Sequence, residues 1–559
     1  MKILGIHDGH NASACLLENG KIKWALQEER LTNEKNRAGF PKKSIKKILE
    51  LEKIKPKDID FVAMASKHTP MRSSRKERLK NYERANTFSR KVKEILRETF
   101  IYDYYTKKHQ RRRINNLKRL DFSEKQVIFI DHHLCHAATA YFGSLWRNDV
   151  LVLTNDGRGD KLCASVWLGK DGSLKKISET KEGNSVGDLY ARTTFLLGFV
   201  PLEHEYKLMG MAPYVKSDKW KNKCYEIYKR YLSVSGLEIR RKIPEKTYMI
   251  LSRLKKDLEY LRFDWISASL QKFTEEVLVG WVKAWVRKTG IKRVCLAGGT
   301  FMNVKANKLI SELEEVEELF VFPSCGDESI SIGAAYWVYH KKTGKPIEPL
   351  GNIYFGPSFT DSDVKKTLEK EKYRYKKFED IETEIARLLA EGKIVARCRG
   401  RLEFGARALG NRSILANPSN RDVVRIINDM IKNRDFWMPF APSILKEREG
   451  DYIKNPKEIE APYMIMAFDT TDKREEMVAA IHQSDLTARP QVVKKGDNPE
   501  YYRLMKEFEK NTGRGVLLNT SFNLHGYPIV YGPKEAMWVF KNSGLKYLIL
   551  GNYLVWKNN

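Results

Sequence analysis

The chain has 559 residues, more than one hydrophobic core ordinarily organises, so its length predicts two or three domains. Hydrophobic residues at 42% suit a globular protein, and no run approaches the roughly 20 apolar residues that cross a bilayer. The start, MKILGIHDGHNAS, lacks a signal-peptide h-region, and the seven cysteines are dispersed, odd in number and without a CxxC pair, which excludes a zinc ribbon and predicts free thiols in the cytoplasm.

The first 30 residues read as a strand meander: two apolar runs, a turn at Glu18-Asn19-Gly20, and a third run. Next comes the stretch Lys67 to Arg119, which holds much of the net charge of +30. Such charge invites a nucleic-acid partner, but helical spacing and the lack of an RNA-binding motif favour a solvated helical insertion near 67–120. From Val150 to Glu179 the opening pattern recurs, with a turn at Lys170-Asp171-Gly172-Ser173, and each copy sets an Asp beside a Gly at the end of its first strand, Asp8-Gly9 and Asp156-Gly157. This internal repeat predicts two related lobes whose strand-end carboxylates face a cleft. The arrangement resembles the actin-like ATPase fold of sugar kinases, heat-shock chaperones and the tRNA threonylcarbamoyl transferase, in which the paired Asp residues handle nucleotide phosphates or their metal. Residues 217–262 read as a second helical insertion, and the strand Arg293 to Ala297 runs into Gly298-Gly299-Thr300, where backbone N–H groups can approach an anion.

Between the two copies lies Asp131-His132-His133-Leu134-Cys135-His136, which leads into a small-residue helical run. A helix turns about 100° per residue, so His132 and His136 share a face while His133 points away. Two imidazoles at that spacing can grip one divalent ion, with Asp156 and Asp327 as candidate carboxylates; a capping or core His pair is the other reading. Past His340 a Gly- and Pro-rich stretch, KKTGKPIEPLGNIYFGPS, reads as a linker. The second domain, 359–559, combines helical stretches with apolar strands and reads as α/β. Its segment Gly400 to Ser413 alternates arginines with glycines, so guanidinium forks can meet phosphate oxygens beside bare backbone. Lys432 and Arg434, Arg489, and Asn519 to Asn523 add cations, amides and hydroxyls of the kind a small phosphorylated substrate needs.

Taken in order, GIHDGHNAS, EERLTNEKNRAGFP, DHHLCHAATAYFGS, TNDGRGD, EYKLMGMAPY, GGTFMNVKAN, GDESISIGAA, GRLEFGARALGNRSILANP, MPFAPS, ARPQVV and LLNTSFN resemble the O-carbamoyltransferase family of the nodulation-factor, cephamycin and tobramycin carbamoyltransferases. The resemblance implies a duplicated actin-like (ASKHA) domain over 1–345 and a YrdC-like α/β domain over 359–559. It implies an ATP-dependent enzyme that forms carbamoyl adenylate from carbamoyl phosphate and transfers the carbamoyl group to a hydroxyl of a small-molecule acceptor. The implied metal ligands are His132, His136, Asp156 and Asp327, holding Fe(2+), with Mg(2+) accompanying ATP. Arg407, Lys432, Arg489 and Asn519 would meet carbamoyl phosphate, and Asp8, Lys35 and Ser521 would contact ATP or the adenylate. His10 is the candidate base for the acceptor hydroxyl, since imidazole titrates near neutrality.

Three departures stand out. Many members of the family it resembles read Arg-Pro where this chain has Met438-Pro439, which removes an expected phosphate-binding arginine and leaves open whether Arg434 replaces it; they also often have Pro at Ala406 and GDDG where this chain has GDES. The basic charge keeps two further readings in view, an RNA-modifying carbamoyl transferase and a non-catalytic RNA-binding scaffold. An attached adenylate-forming domain argues against the first, and intact acidic, His and Arg positions argue against the second.

Overall fold

A computed structural model describes residues 1–68, 74–83 and 101–557. The chain is a mixed α/β protein that divides into two compact units, one of residues 1–28 and 36–350, the other of residues 29–35 and 351–559. Among the described residues no helix is long and apolar enough to cross a membrane.

The first unit is built on two five-stranded sheets. In one, β1 (Lys2–His7), β2 (Ser13–Glu18) and β3 (Lys21–Gln27) form an antiparallel meander, and β4 (Phe61–Ala65) and β5 (Val127–Ile130) add in parallel beside β1. In the other, β6 (Val150–Gly159), β7 (Leu162–Lys170) and β8 (Ser173–Lys181) repeat the meander. A hairpin of β9 (Leu232–Ser235) and β10 (Glu238–Arg241) follows, and β11 (Arg293–Ala297) and β12 (Glu318–Val321) complete the second sheet in parallel beside β6. Both meanders turn on an Asx-Gly pair in left-handed backbone, Asn19-Gly20 at φ 49° and 82° and Asp171-Gly172 at φ 49° and 74°, the geometry that matches strand twist in a two-residue hairpin.

The helices His132–Gly143 and Ile330–Thr343 pack closely because small residues line their contact. A Cβ on Gly333 would stand 1.9 Å from the Cys135 carbonyl, and one on Gly5 in β1 would stand 1.9 Å from the Ser331 carbonyl. These approaches bring the N-termini of both helices beside the end of β1.

The structure departs from the sequence reading in three places. The insertion at 217–262 is not wholly helical: Ser235-Gly236, with Gly236 at φ 61°, turns an alternating run into the β9–β10 hairpin. The basic insertion is not simply a solvated one. Its described helices, Arg75–Glu83 and Ile101–Lys118, bury Arg78, Tyr82, Arg113 and Leu117; residues 69–73 and 84–100 lie outside the described residues. Third, the expected linker stops at Leu350, and Ile353, Tyr354 and Phe355 are buried in the second unit.

The second unit carries one eight-stranded sheet. Its strands are β13 (Arg374–Lys377), β14 (Val395–Cys398), β15 (Arg412–Ala416), β16 (Ala441–Leu445), β19 (Gln491–Val493), β20 (Val516–Ser521), β21 (Tyr547–Leu550) and β22 (Tyr553–Trp556), with β17 (Phe468–Asp469) and β18 (Thr487–Ala488) as a separate pair. Alternate residues feed opposite faces. Val395, Leu415, Leu517 and Ile549 pack under the helices Ile381–Ala390 and Pro499–Thr512, while Ala396, Ile414, Leu518 and Leu548 pack with Val423, Ile427 and Phe540 on the other side.

Candidate metal centre and cationic cluster

In the first unit one nitrogen or oxygen from each of His132, His136, Asp156 and Asp327 comes within 4.8 Å of the others. Asp131 caps the helix that carries the imidazoles by accepting the Leu134 N–H at 3.0 Å, which fixes His132 at the first helical position and His136 one turn on. Asp327 opens the turn before helix Ile330–Thr343, and Asp156 lies in β6. Asp156 is aimed by the glycine turn after β11. Gly298, at φ 102°, lies against Asn155, and the Gly299 N–H donates to Asp156 Oδ1 at 2.8 Å. His133 points away, as helix geometry predicts, and its Nδ1 lies 2.8 Å from Thr154 Oγ1.

His132 Nε2 stands 3.6 Å from Asp156 and 3.5 Å from Asp327, and His136 Nε2 stands 3.5 Å from Asp327. His132 Nε2, His136 Nε2 and Asp327 Oδ1 are buried without a hydrogen bond, a costly state for polar atoms unless a ligand takes them. Two imidazoles and two carboxylates converging on one point are the donor set of a divalent cation, and these residues fit one. Without it, burial opposes a charge on His132 but Asp327 and Asp156 outweigh it and raise the imidazole to about 9. Asp156 is held well below the usual carboxylate range, since His132 and His136 overcome its burial.

Several residues that sequence reasoning passed over hold this centre. A Cβ on Gly159 would fall 2.0 Å from the His132 ring, so only glycine leaves the imidazole its place. Asp160 accepts the N–H groups of Lys67, His68 and His132, each at 2.8 Å. His7, at the end of β1, stands 3.8 Å from Asp327. Gly159 and Asp160 complete the TNDGRGD string, and His7 precedes Asp8, so these motifs were the available signal.

The structure gives the other two predicted residues of this unit a different setting from the one expected. His10 Nε2 is buried without a hydrogen bond, yet burial, and next the charge of Arg78, push the imidazole down to about 3 rather than leaving it near neutrality. Asp8 is fully buried, with Oδ1 2.8 Å and Oδ2 3.1 Å from the Arg113 guanidinium.

The second unit assembles a cluster of cations. Lys432 is buried beneath Ser521 and Asn523, donating to Ser521 Oγ at 3.2 Å and Asn523 Oδ1 at 3.0 Å. Burial, then the charges of Arg434 and Lys35, hold its ammonium well below the usual lysine range. Arg489 is lowered by burial and then by Arg407 and Arg434. Arg434, which also donates to Thr520 Oγ1 at 3.2 Å, is thus one of the charges acting on both. It supplies a guanidinium to a cluster that has Met438 where the resemblance led to an expected arginine. Asn519 is buried in β20, its Nδ2 bonded to Ala408, Ser443 and Gln491 and its Oδ1 without a partner. Lys35 joins this unit because residues 29–35 belong to it; Arg30 donates to the Gly405 carbonyl at 2.5 Å.

Not every arginine of the glycine-rich segment is offered to a ligand. Arg401 donates to the Gly356 and Phe355 carbonyls, and Arg412, fully buried, donates to the Tyr531 and Gly400 carbonyls. Both staple loops, and Arg407 is the one whose charge bears on Arg489. Glu403 organises the loop between them, its Oε1 accepting the N–H groups of Leu409, Asn411 and Arg412 at 2.8 to 3.0 Å.

Comparison with known proteins bears on both halves. The carbamoyltransferase N-terminus family model matches residues 2–336, and the carbamoyltransferase C-terminus model matches residues 386–557. An uncharacterized protein of Methanocaldococcus jannaschii is 33% identical over 99% of this chain and 99% of its own. Nodulation protein NolNO of Sinorhizobium fredii is 30% identical over 98% of this chain and 79% of its own. Among solved structures, full-length HypF in its phosphate- and nucleotide-bound form covers 62% of this chain and 47% of its own at 13% identity, with a TM-score of 0.36 that is too low to argue from. The two family matches define the class, an enzyme that moves a carbamoyl group from a donor to an acceptor. The chain belongs to the carbamoyltransferase family.

Proposed function

We propose that this carbamoyltransferase draws its carbamoyl group from carbamoyl phosphate, activates it with ATP as carbamoyl adenylate, and transfers it to a hydroxyl of a small-molecule acceptor. The observation that carries the reading is the cationic cluster of the second unit, where Arg434 acts on both Lys432 and Arg489 and Arg407 acts on Arg489, and Asn519 keeps a buried, unpartnered amide oxygen. A small anion with an N–H group matches both features. The reading takes the second unit as a YrdC-like domain and the first as an actin-like pair of lobes, supported by two sheets with the same strand order.

In the donor half-reaction Arg407, Lys432 and Arg489 offset the phosphate charge and Asn519 Oδ1 accepts from the carbamoyl N–H. Water cleaves carbamoyl phosphate to phosphate and carbamate. A carbamate oxygen attacks the α-phosphorus of ATP, which is accompanied by Mg(2+). The bond from that phosphorus to the β-phosphate oxygen breaks, and pyrophosphate leaves. Lys35 and Ser521 contact the nucleotide. Asp8, in the first unit, is implied by the family to meet ATP or the adenylate there, and meeting it would require the Arg113 pair to yield.

In the acceptor half-reaction the hydroxyl oxygen attacks the carbonyl carbon, AMP leaves, and His10 Nε2 takes the hydroxyl proton. His10 is neutral at physiological pH, so its lone pair is available, and its affinity for the proton rises as negative charge develops on the acceptor oxygen. A divalent ion, proposed as Fe(2+), held by His132, His136, Asp156 and Asp327 would act as a Lewis acid toward the carbonyl.

The test needs no acceptor. Purified protein with ATP and carbamoyl phosphate releases pyrophosphate, and the Arg407→Ala variant does not. ATP turnover that ignores carbamoyl phosphate would sink the reading.

A further inference from the structure

His132 can serve a metal only if Nε2 carries a lone pair, and in a neutral imidazole the proton must then sit on Nδ1 and find an acceptor. The atom opposite Nδ1 is Ser66 Oγ, at 3.0 Å, with both side chains buried. Ser66 lies just past β4 in left-handed backbone, φ 68°, a conformation that disfavours residues with a Cβ. Its hydroxyl faces the helix that carries the imidazoles.

Arg113 holds Ser66 in that state. It comes from helix Ile101–Lys118 of the basic insertion, is fully buried, and donates Nη1 to the Ser66 carbonyl and Nη2 to the Ala65 carbonyl, each at 2.6 Å. The rest of the guanidinium faces the Asp8 carboxylate, and the group lies 4.9 Å from the centre of the Phe129 ring in β5. One side chain therefore ties together the ends of β1 and β4. The planar fork of arginine suits this, whereas an ammonium lacks the fixed donor geometry to reach two carbonyls and a carboxylate together.

We propose that Ser66, fixed by Arg113, is a positioning residue that holds the His132 ring through Nδ1 and so presents Nε2 to the metal. The inference rests on the metal reading above. It gives the basic insertion a task that its charge does not suggest, since the insertion completes the metal centre through one buried arginine.

Cobalt(II) is the probe, its affinity measured by equilibrium dialysis and its coordination by its visible spectrum. Wild type should bind one equivalent and His132→Ala should not. Ser66→Gly removes the hydroxyl and relieves the left-handed strain, so it should fold cooperatively without metal, bind cobalt roughly 10- to 100-fold more weakly, and shift the cobalt spectrum. Arg113→Lys should weaken cobalt in the same direction. If wild type binds cobalt and His132→Ala does not, but Ser66→Gly binds with wild-type affinity and spectrum, the positioning role is overturned while the metal reading stands. Unchanged affinity in Arg113→Lys would remove the arginine from the proposal. Wild type and His132→Ala binding alike would overturn the metal reading and the inference with it.

Discussion

The two sites solve the problem of gathered charge in opposite ways. The centre of the first unit places two carboxylates beside two imidazoles and offsets part of its own charge, with His132 raised to about 9 so that it carries a proton at neutral pH. In the second unit burial, and after it neighbouring charges that are themselves cations, push both Lys432 and Arg489 down. A site that can protonate waits for a cation at little cost, whereas a site of like charges is strained until an anion arrives. Guest binding should therefore move protons in opposite directions at the two sites.

Removing a ligand carboxylate should have the largest effect. Asp156→Asn should lose metal affinity by on the order of 100-fold or more, exceeding what outer partners contribute, as elemental analysis after dialysis would show. The same change should lower the melting temperature of the metal-free protein, because it strips His132 of a partner. Arg489→Met should do the reverse. It should cut carbamoyl phosphate-dependent pyrophosphate release by roughly 10- to 100-fold, the worth of a hydrogen bond to a charged group, yet raise the melting temperature of the unliganded protein by relieving repulsion. If both variants lower the melting temperature, the contrast between the sites fails.

Gly159→Ala should reach the metal without touching a ligand. Its Cβ cannot coexist with the His132 ring at 2.0 Å, so metal affinity should fall roughly 10- to 100-fold while pyrophosphate release continues. Wild-type metal content in this variant would show that the ring has room to move. Proton linkage gives the smallest signal. Metal binding needs His132 Nε2 deprotonated, so it should release a proton at pH 7 and tighten roughly tenfold per pH unit until about pH 9. Inorganic phosphate binding favours charged Lys432, whose ammonium burial holds below the usual lysine range, so binding should weaken as pH rises through that lowered range and take up protons there. Calorimetry in buffers of different ionisation enthalpy reads both signs.

Much of this was legible along the chain because it follows local rules. The spacing of His132 and His136 set them on one helix face, and Asn19-Gly20 and Asp171-Gly172 announced the matching turns of the two meanders. Asp156 stood out through the repeat. What stayed hidden depends on contacts between distant segments. Nothing near Ser66 or Arg113 in sequence marks them as supports of His132. The glycines around Arg407 suggested open approach to a ligand for the whole segment, whereas Arg401 and Arg412 use that room to bond backbone carbonyls. The β9–β10 hairpin was masked by flanking helices of high charge. That residues 29–35 join the second unit, and bring Lys35 to the cations, is a property of the folded chain alone.

The most direct test of a division of labour between the two sites is pyrophosphate release by Asp156→Asn supplied with ATP and carbamoyl phosphate, without acceptor. The account predicts release at close to the wild-type rate from protein that no longer holds metal, because the donor half-reaction belongs to the cationic cluster. If release stops when the carboxylate is lost, the two half-reactions are not separate, and the assignment of the cluster as the donor site is wrong.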